Sequence, residues 1–214
     1  MVASGDSSRA YRSSLRERQA DETRRRVIEA AGVLFSAHGF QSTTMAAIAR
    51  EAGVSTETVK ATGGKSDLLI AAFERTFAGV EGEASLTDTP VAGDLLSLSD
   101  ADFRAGVVVA IAGANARGHA LWTVVLGAAL SDEAVSAALT TILANRRADY
   151  RRLVSELARR GALVEDPDAV ADTLSFLLSP EGYQHLVVQS SWSAPQYRAW
   201  LCTMLTAAVG SVGA

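Results

Sequence analysis

Residues 42–60 read Ser-Thr-Thr-Met-Ala-Ala-Ile-Ala-Arg-Glu-Ala-Gly-Val-Ser-Thr-Glu-Thr-Val-Lys, and the fold turns on this stretch. Met45, Ile48, Ala49 and Ala52 recur at helical spacing and give one apolar face. Gly53 ends that helix, and Val54 is placed to plug a small core. Ser55 can cap a second short helix at once. Two short helices joined by a tight, glycine-containing turn form a helix-turn-helix, whose second helix fits the DNA major groove.

Outward from this stretch the chain reads as all-helical. On the N-terminal side Val27, Ala30, Ala31, Leu34 and Phe35 form a helical stripe over 21–38, closed by Gly39. Thr43 or Thr44 caps the next helix. On the other side Gly63-Gly64 breaks the second short helix. A further helix starts near Ser66, with Leu68, Leu69, Ala72, Phe73 and Phe77 facing inward. Residues 1–20 are Ser/Arg-rich without apolar periodicity and read as a flexible basic arm. Residues 81–98 lose the pattern and read as a boundary between an N-terminal and a C-terminal unit.

Beyond it, Ser99 with Asp102 resembles a capping box opening a helix, with a break expected near 115–118. An apolar stretch over 119–130 follows, then a long amphipathic helix from Ser131 to Gly161. Asp166-Pro167 and Ser179-Pro180 each place Pro at a first helical position. Ser193 with Gln196 is a capping box for a last helix. No alternating strand pattern competes.

Composition narrows the function classes. The 214 residues are 48% hydrophobic, enough for a sizeable core, with 4 Pro and 1 Cys. Cys202 alone cannot build a disulfide framework or a multi-cysteine zinc site. No run reaches the length of a membrane span and the N-terminus lacks a secretory h-region, so a cytoplasmic protein is expected. Net charge is −4, yet it is unevenly spread: residues 1–80 carry +2 and residues 81–214 carry −6. Seven arginines fall between Arg9 and Arg26. A basic end on an acidic body suits a chain of which one part meets phosphates. The same arginines also fit a merely solvated helix face. No Gly-x-Ser-x-Gly, P-loop, dinucleotide fingerprint or His-Glu-x-x-His occurs, so no enzyme activity, cofactor or metal is expected.

From Arg24 to Phe77 the chain resembles the TetR family of transcriptional regulators. The residues carrying the resemblance are Val27-Ile28-x-Ala30-Ala31, Leu34-Phe35-x-x-x-Gly39-Phe40 and Thr43-Thr44-Met45-x-x-Ile48-Ala49-x-x-Ala52-Gly53-Val54-Ser55. Thr58-Val59 and Lys65-x-x-Leu68 complete the pattern. The resemblance implies a DNA-binding domain over 21–66 and a helical regulatory domain over 67–214 that binds a small ligand and forms a homodimer. It implies that Thr44 and Lys65 hold backbone phosphates and that Ser55, Thr56, Glu57, Thr58 and Lys60 lie on the reading helix. Hydroxyls serve phosphates or base edges, Glu57 suits a cytosine amino group, and Lys60 suits guanine or phosphate. One departure stands out. The family closes the reading helix with an aromatic Tyr-x-x-Phe segment, whereas here Lys60-Ala61-Thr62-Gly63-Gly64-Lys65 is one residue shorter and has no aromatic.

For the C-terminal part the resemblance implies a pocket and a partner surface. Candidate pocket residues are Phe103, Val107, Ile111, Asn115, His119, Trp122, Leu126, Tyr150 and Phe176, an apolar lining with a few polar anchors. Val125 and Thr123 are further candidates. Candidate interface residues are Leu174, Leu177, Leu178, Trp200, Leu201, Met204 and Leu205. Geometry also asks for a dimer, since two reading helices about 34–36 Å apart are needed to read a palindrome. The expected function is a repressor released from a palindromic operator by a small-molecule effector. The alternative is a ligand-binding or adaptor protein of the same fold that has lost specific DNA reading.

Overall fold

The computed structural model describes residues 6–79 and 90–209. The helices run α1 (Asp6–Ser42), α2 (Met45–Ala52), α3 (Thr56–Thr62), α4 (Lys65–Ala78), α5 (Pro90–Leu96), α6 (Asp100–Ala129), α7 (Glu133–Arg159), α8 (Pro167–Leu177), α9 (Pro180–Tyr183) and α10 (Ala194–Val209). A π-helical turn, Gln184–Gln189, joins α9 to α10. Among the described residues there is no strand.

The predicted caps close these helices. Thr44 Oγ1 accepts from Ala47 N (3.1 Å) and Ser55 Oγ from Thr58 N (3.1 Å). Ser99 Oγ accepts from Asp102 N, Asp166 Oδ1 from Asp168 N and Ala169 N, and Ser179 Oγ from Gly182 N. Each supplies an acceptor to a backbone donor that the helix itself leaves unpaired. α1 breaks at Gly39, whose φ of 77° is left-handed. Thr43 seals the bend by donating to the Gly39 carbonyl (2.8 Å).

Three expectations need correction. Residues 6–20, read as an arm, are helical backbone continuous with α1. Its four Arg, with Ala10, Leu15, Glu17, Gln19 and Ala20, favour helix without any apolar stripe and outweigh its four Ser. Residues 90–96, read as part of a patternless boundary, form α5; the remainder of that boundary, 81–89, lies outside the described residues. The break expected near 115–118 does not occur, and α6 runs through for 30 residues. Gly118 is there for close approach: a Cβ on it would lie 2.7 Å from Phe77 Cδ2 of α4.

Two apolar cores result, and α6 belongs to both. The first gathers α1–α4 with Leu121, Trp122, Val125 and Ala128 of α6 and Val135 of α7. The second gathers Phe103, Val107, Val108 and Ala112 of α6 with Val154 and Leu157 of α7, Leu174 of α8, and Tyr197, Leu201 and Leu205 of α10. The helix-turn-helix therefore has no core of its own, because its apolar faces are completed by the far half of α6.

Candidate nucleic-acid interface

α2 and α3 are held from behind, which leaves one side of α3 free. Ile48, Ala49, Ala52 and Val59 are buried, and Val54 packs against the same core. Gly53 makes the turn at φ 65°, with its N–H returned to α2 carbonyls. On the outer side Thr44, Ser55, Glu57 and Lys60 are exposed, and Thr56 and Thr58 are half-buried. The hydroxyls of Ser55 and Thr58 lie 3.0 Å apart. The structure thus puts the five expected residues of the turn and reading helix on one short segment, with Thr44 at the start of α2.

Lys65 stands a little apart. It is half-buried at the start of α4, its Nζ donates to the Gln41 carbonyl (3.3 Å), and it sits 4.5 Å from the centre of the Phe40 ring. Asp67, in the first turn of α4, accepts from Gly64 N (2.9 Å), so this helix start carries its own acid.

The arginine run has a role that neither reading of its charge contained. Arg24 donates to the Thr62 carbonyl at the end of α3 (2.9 Å), and Arg26 donates to the Ala52 carbonyl at the end of α2. Arg25 lies between Glu22 and Glu29 on the surface of α1, and this pairing holds the Glu22 carboxyl below the usual range. Two cations of α1 thus close the C-termini of the two helices of the DNA-reading unit, where partial negative charge collects. Arg24 thus holds the aromatic-free end of α3. Thr62 Oγ1, donating to the Thr58 carbonyl, and Gly63 N, donating to the Val59 carbonyl, finish that end. No local spacing rule finds Arg24 and Arg26, because their partners lie 38 and 26 residues away.

The C-terminal candidates divide. Phe103, Val107, Asn115, Trp122 and Val125 are buried, and Ile111, His119, Leu126 and Tyr150 are partly buried. Phe176 is 77% exposed and Thr123 is exposed, so neither lines an interior. Phe176 sits on the side of α8 opposite Leu174 and Leu178, which take the core instead. Asn115 pins α6 to the end of α8: its Nδ2 meets the Leu178 carbonyl (3.0 Å), the Ser179 carbonyl (3.3 Å) and Tyr197 Oη (2.9 Å). Burial pushes the Tyr197 hydroxyl up to about 12. Burial likewise raises Tyr150, whose hydroxyl also donates to the Leu178 carbonyl. His119 Nδ1 donates to Gln184 Oε1 (2.8 Å).

Four of the expected interface residues, Leu174, Leu178, Leu201 and Leu205, are buried inside the chain itself and cannot meet a partner. Leu177, Trp200 and Met204 are half-buried. The exposed faces of α8 and α10 carry Thr173, Phe176, Ala199, Cys202, Thr203 and Thr206. The sequence stripe located the apolar side of each helix but not which neighbour covers it.

Residues 27–61 match the family of bacterial regulatory proteins named for TetR. The matched segment spans the helix-turn-helix, from Val27 of α1 to Ala61 of α3. No curated protein matches the sequence. Among solved structures, SmeT in its complex with triclosan shares 20% identity over 90% of this chain and 93% of that one, with a TM-score of 0.66. A chain from Mesorhizobium loti MAFF303099, assigned to the TetR family, shares 20% identity over 88% and 96%, with a TM-score of 0.63. Another so assigned, from Rhodococcus sp., shares 15% identity over 88% and 100%, with a TM-score of 0.60. At these identities the likeness establishes the fold. Among the described residues no helix is long and apolar enough to cross a membrane, and no cluster of His, Cys, Asp and Glu could hold a metal.

Proposed function

We propose that this chain is a TetR-family, DNA-binding regulator of transcription that acts in the cytoplasm as a homodimeric repressor, released from a palindromic operator by a small-molecule effector. The observation that carries the DNA side is the solvent-facing row Ser55, Glu57 and Lys60 on a helix anchored behind by Val59 and at its end by Arg24. In this reading Ser55 to Lys60 meet base edges and phosphates, Thr44 holds a phosphate at the start of α2, and Lys65 holds another on exchanging its Gln41 carbonyl. The 21–66 and 67–214 division is functional, since the cores themselves run across it.

The shared helix α6 supports the effector side. A ligand that favours one position of α6 in the second core favours one position of α1–α4 in the first, which is coupling by differential affinity. Two side-chain links run alongside: Ser66 Oγ donates to Asp132 Oδ2 (3.0 Å), and Gln41 Nε2 to Ser131 Oγ (3.4 Å). Asp132 also caps α7 through Val135 N, and this bond holds its carboxyl below the usual range. That SmeT, a chain of the same fold, forms a complex with triclosan further supports a small-molecule effector. The exposed faces of α8 and α10, with Phe176, Cys202 and Thr206, are the partner surface.

A gel shift on the DNA upstream of the protein's own coding region, over a salt series, tests this. We expect specific binding whose logarithm falls linearly with that of salt. Thr44→Ala and Lys65→Ala should each weaken binding across all sequences and reduce the salt slope by about one. An intact dimer with no specific complex at low salt would establish the adaptor alternative instead.

A further inference from the structure

Two side-chain polar atoms among the described residues are buried without a hydrogen-bond partner, Asn115 Oδ1 and Trp122 Nε1. Both residues belong to α6, at 0% and 2% exposure. Seven residues apart, they lie on one face, two turns or about 10 Å along the axis. His119 falls between them on the same stripe. The needs of the two atoms are opposite: Asn115 Oδ1 can only accept, and Trp122 Nε1 can only donate.

Asn115 cannot relieve its oxygen by turning its amide over. Its Nδ2 already faces three oxygens, from Leu178, Ser179 and Tyr197, and an oxygen in that place would meet the two backbone carbonyls as a second acceptor. Trp122 is likewise fixed, its ring 5.3 Å from Phe73. Buried polar groups in folded proteins are almost always paired, so each of these two orphans calls for a partner, and their needs are complementary.

The surroundings set the charge of what would satisfy them. Besides Tyr197, whose hydroxyl burial keeps neutral, the buried polar side chains of the described residues are Thr43, Asn115 and Ser179, none of them charged. Arg146 lies 5.9 Å from the Trp122 ring, but it donates to the Ser175 carbonyl and has Glu181 at 3.8 Å. A charged ligand would give up its hydration here without gaining a free counter-ion. The walls near the stripe are aromatic: Phe73 against Trp122, and Tyr183 against both His119 (4.9 Å) and Tyr197 (5.1 Å).

We propose that the effector is a neutral, mainly aromatic molecule that donates a hydrogen bond to Asn115 Oδ1 and accepts one from Trp122 Nε1. It spans two helical turns of α6 or less. This rests on reading the C-terminal helices as the effector-binding unit. It adds the ligand's charge, polarity and direction along the helix. A ligand so seated touches α6 at the junction of the two cores, since Asn115 faces the α8–α9 turn and Trp122 belongs to the core of α1–α4.

Calorimetry on the full chain with four probes tests it. Para-hydroxyacetophenone carries both groups, para-methoxyacetophenone lacks the donor, para-ethylphenol lacks the carbonyl acceptor, and para-hydroxybenzoate adds a negative charge. We expect the first to bind about tenfold or more tighter than the others. Asn115→Leu should abolish its preference over the methoxy probe, and Trp122→Phe its preference over ethylphenol. Where a variant does not melt cooperatively, the ranking of the four probes on the unaltered chain decides. Equal binding of all four, preference for the benzoate, or no binding of any at millimolar concentration would overturn the proposal. The gel shift run beside it separates the two ideas. Specific DNA binding without probe selectivity sinks the ligand class alone, whereas selectivity without DNA release sinks effector release alone.

Discussion

Gly53 shows at the scale of one residue how a turn is enforced. Its φ of 65° is costly for any side chain, and a Cβ would lie 3.0 Å from Arg26 Nη2, the group that closes α2. Gly53→Ala gains up to about 1 kcal/mol by restricting the unfolded chain. It loses about 1–2 kcal/mol of left-handed strain besides the displaced arginine. We expect a net loss of about 1 kcal/mol in urea unfolding. Arg24 acts at the other end of the reading unit. Arg24→Met should leave the fold intact and speed hydrogen exchange of the Gly63 amide, as the end of α3 loses its cation. Gly53 was legible in the sequence because its role is local. Arg24 was not, since only the crossing of α1 over α3 brings it to Thr62.

At the scale of the element, α6 departs furthest from what its sequence suggests. Four glycines and an asparagine in 30 residues look like interruptions, yet the helix is continuous because packing supplies what propensity lacks. Gly118 and Gly127 separate the two effects. On Gly118 a Cβ would meet Phe77 at 2.7 and 3.2 Å, while on Gly127 it would meet nothing within 4 Å. Gly127→Ala should stabilise by about 0.5–1 kcal/mol through helix propensity. Gly118→Ala has the same gain but overpacks the α4 contact at a cost of about 1–3 kcal/mol, so a net loss of about 1 kcal/mol is expected. Denaturation of the pair side by side checks both signs. The caps, by contrast, were legible residue by residue: Thr44, Ser55, Ser99, Asp166, Ser179 and Ser193 each act within their own turn.

At the scale of the molecule, the end of α7 is tied to the loop before α6 by charge. Arg160 donates to the Leu96 and Leu98 carbonyls and to Asp100, and meets Glu156 on its own helix. Glu156 also accepts from Arg159, and these bonds bring its carboxyl from an ordinary 4.5 down to about 2, with burial opposing. A carboxyl lowered by folding stabilises fully above its unfolded value, and that contribution is lost as pH falls through the folded one. Stability should therefore decline from about pH 4.5 towards pH 2, and Glu156→Gln should flatten that part of a urea-midpoint profile. The sequence by itself determined most of the helices, their caps, the turn at Gly53 and the resemblance to the TetR family, because periodicity, capping and turn chemistry act within a few residues. Only the tertiary structure decided that α6 serves two cores and that Arg24 and Arg26 close α3 and α2. It also decided that Leu174, Leu178, Leu201 and Leu205 face inward, and that Asn115 and Trp122 keep an acceptor and a donor unspent. An apolar stripe shows that a face is covered, but which neighbour covers it depends on how helices distant in the chain cross.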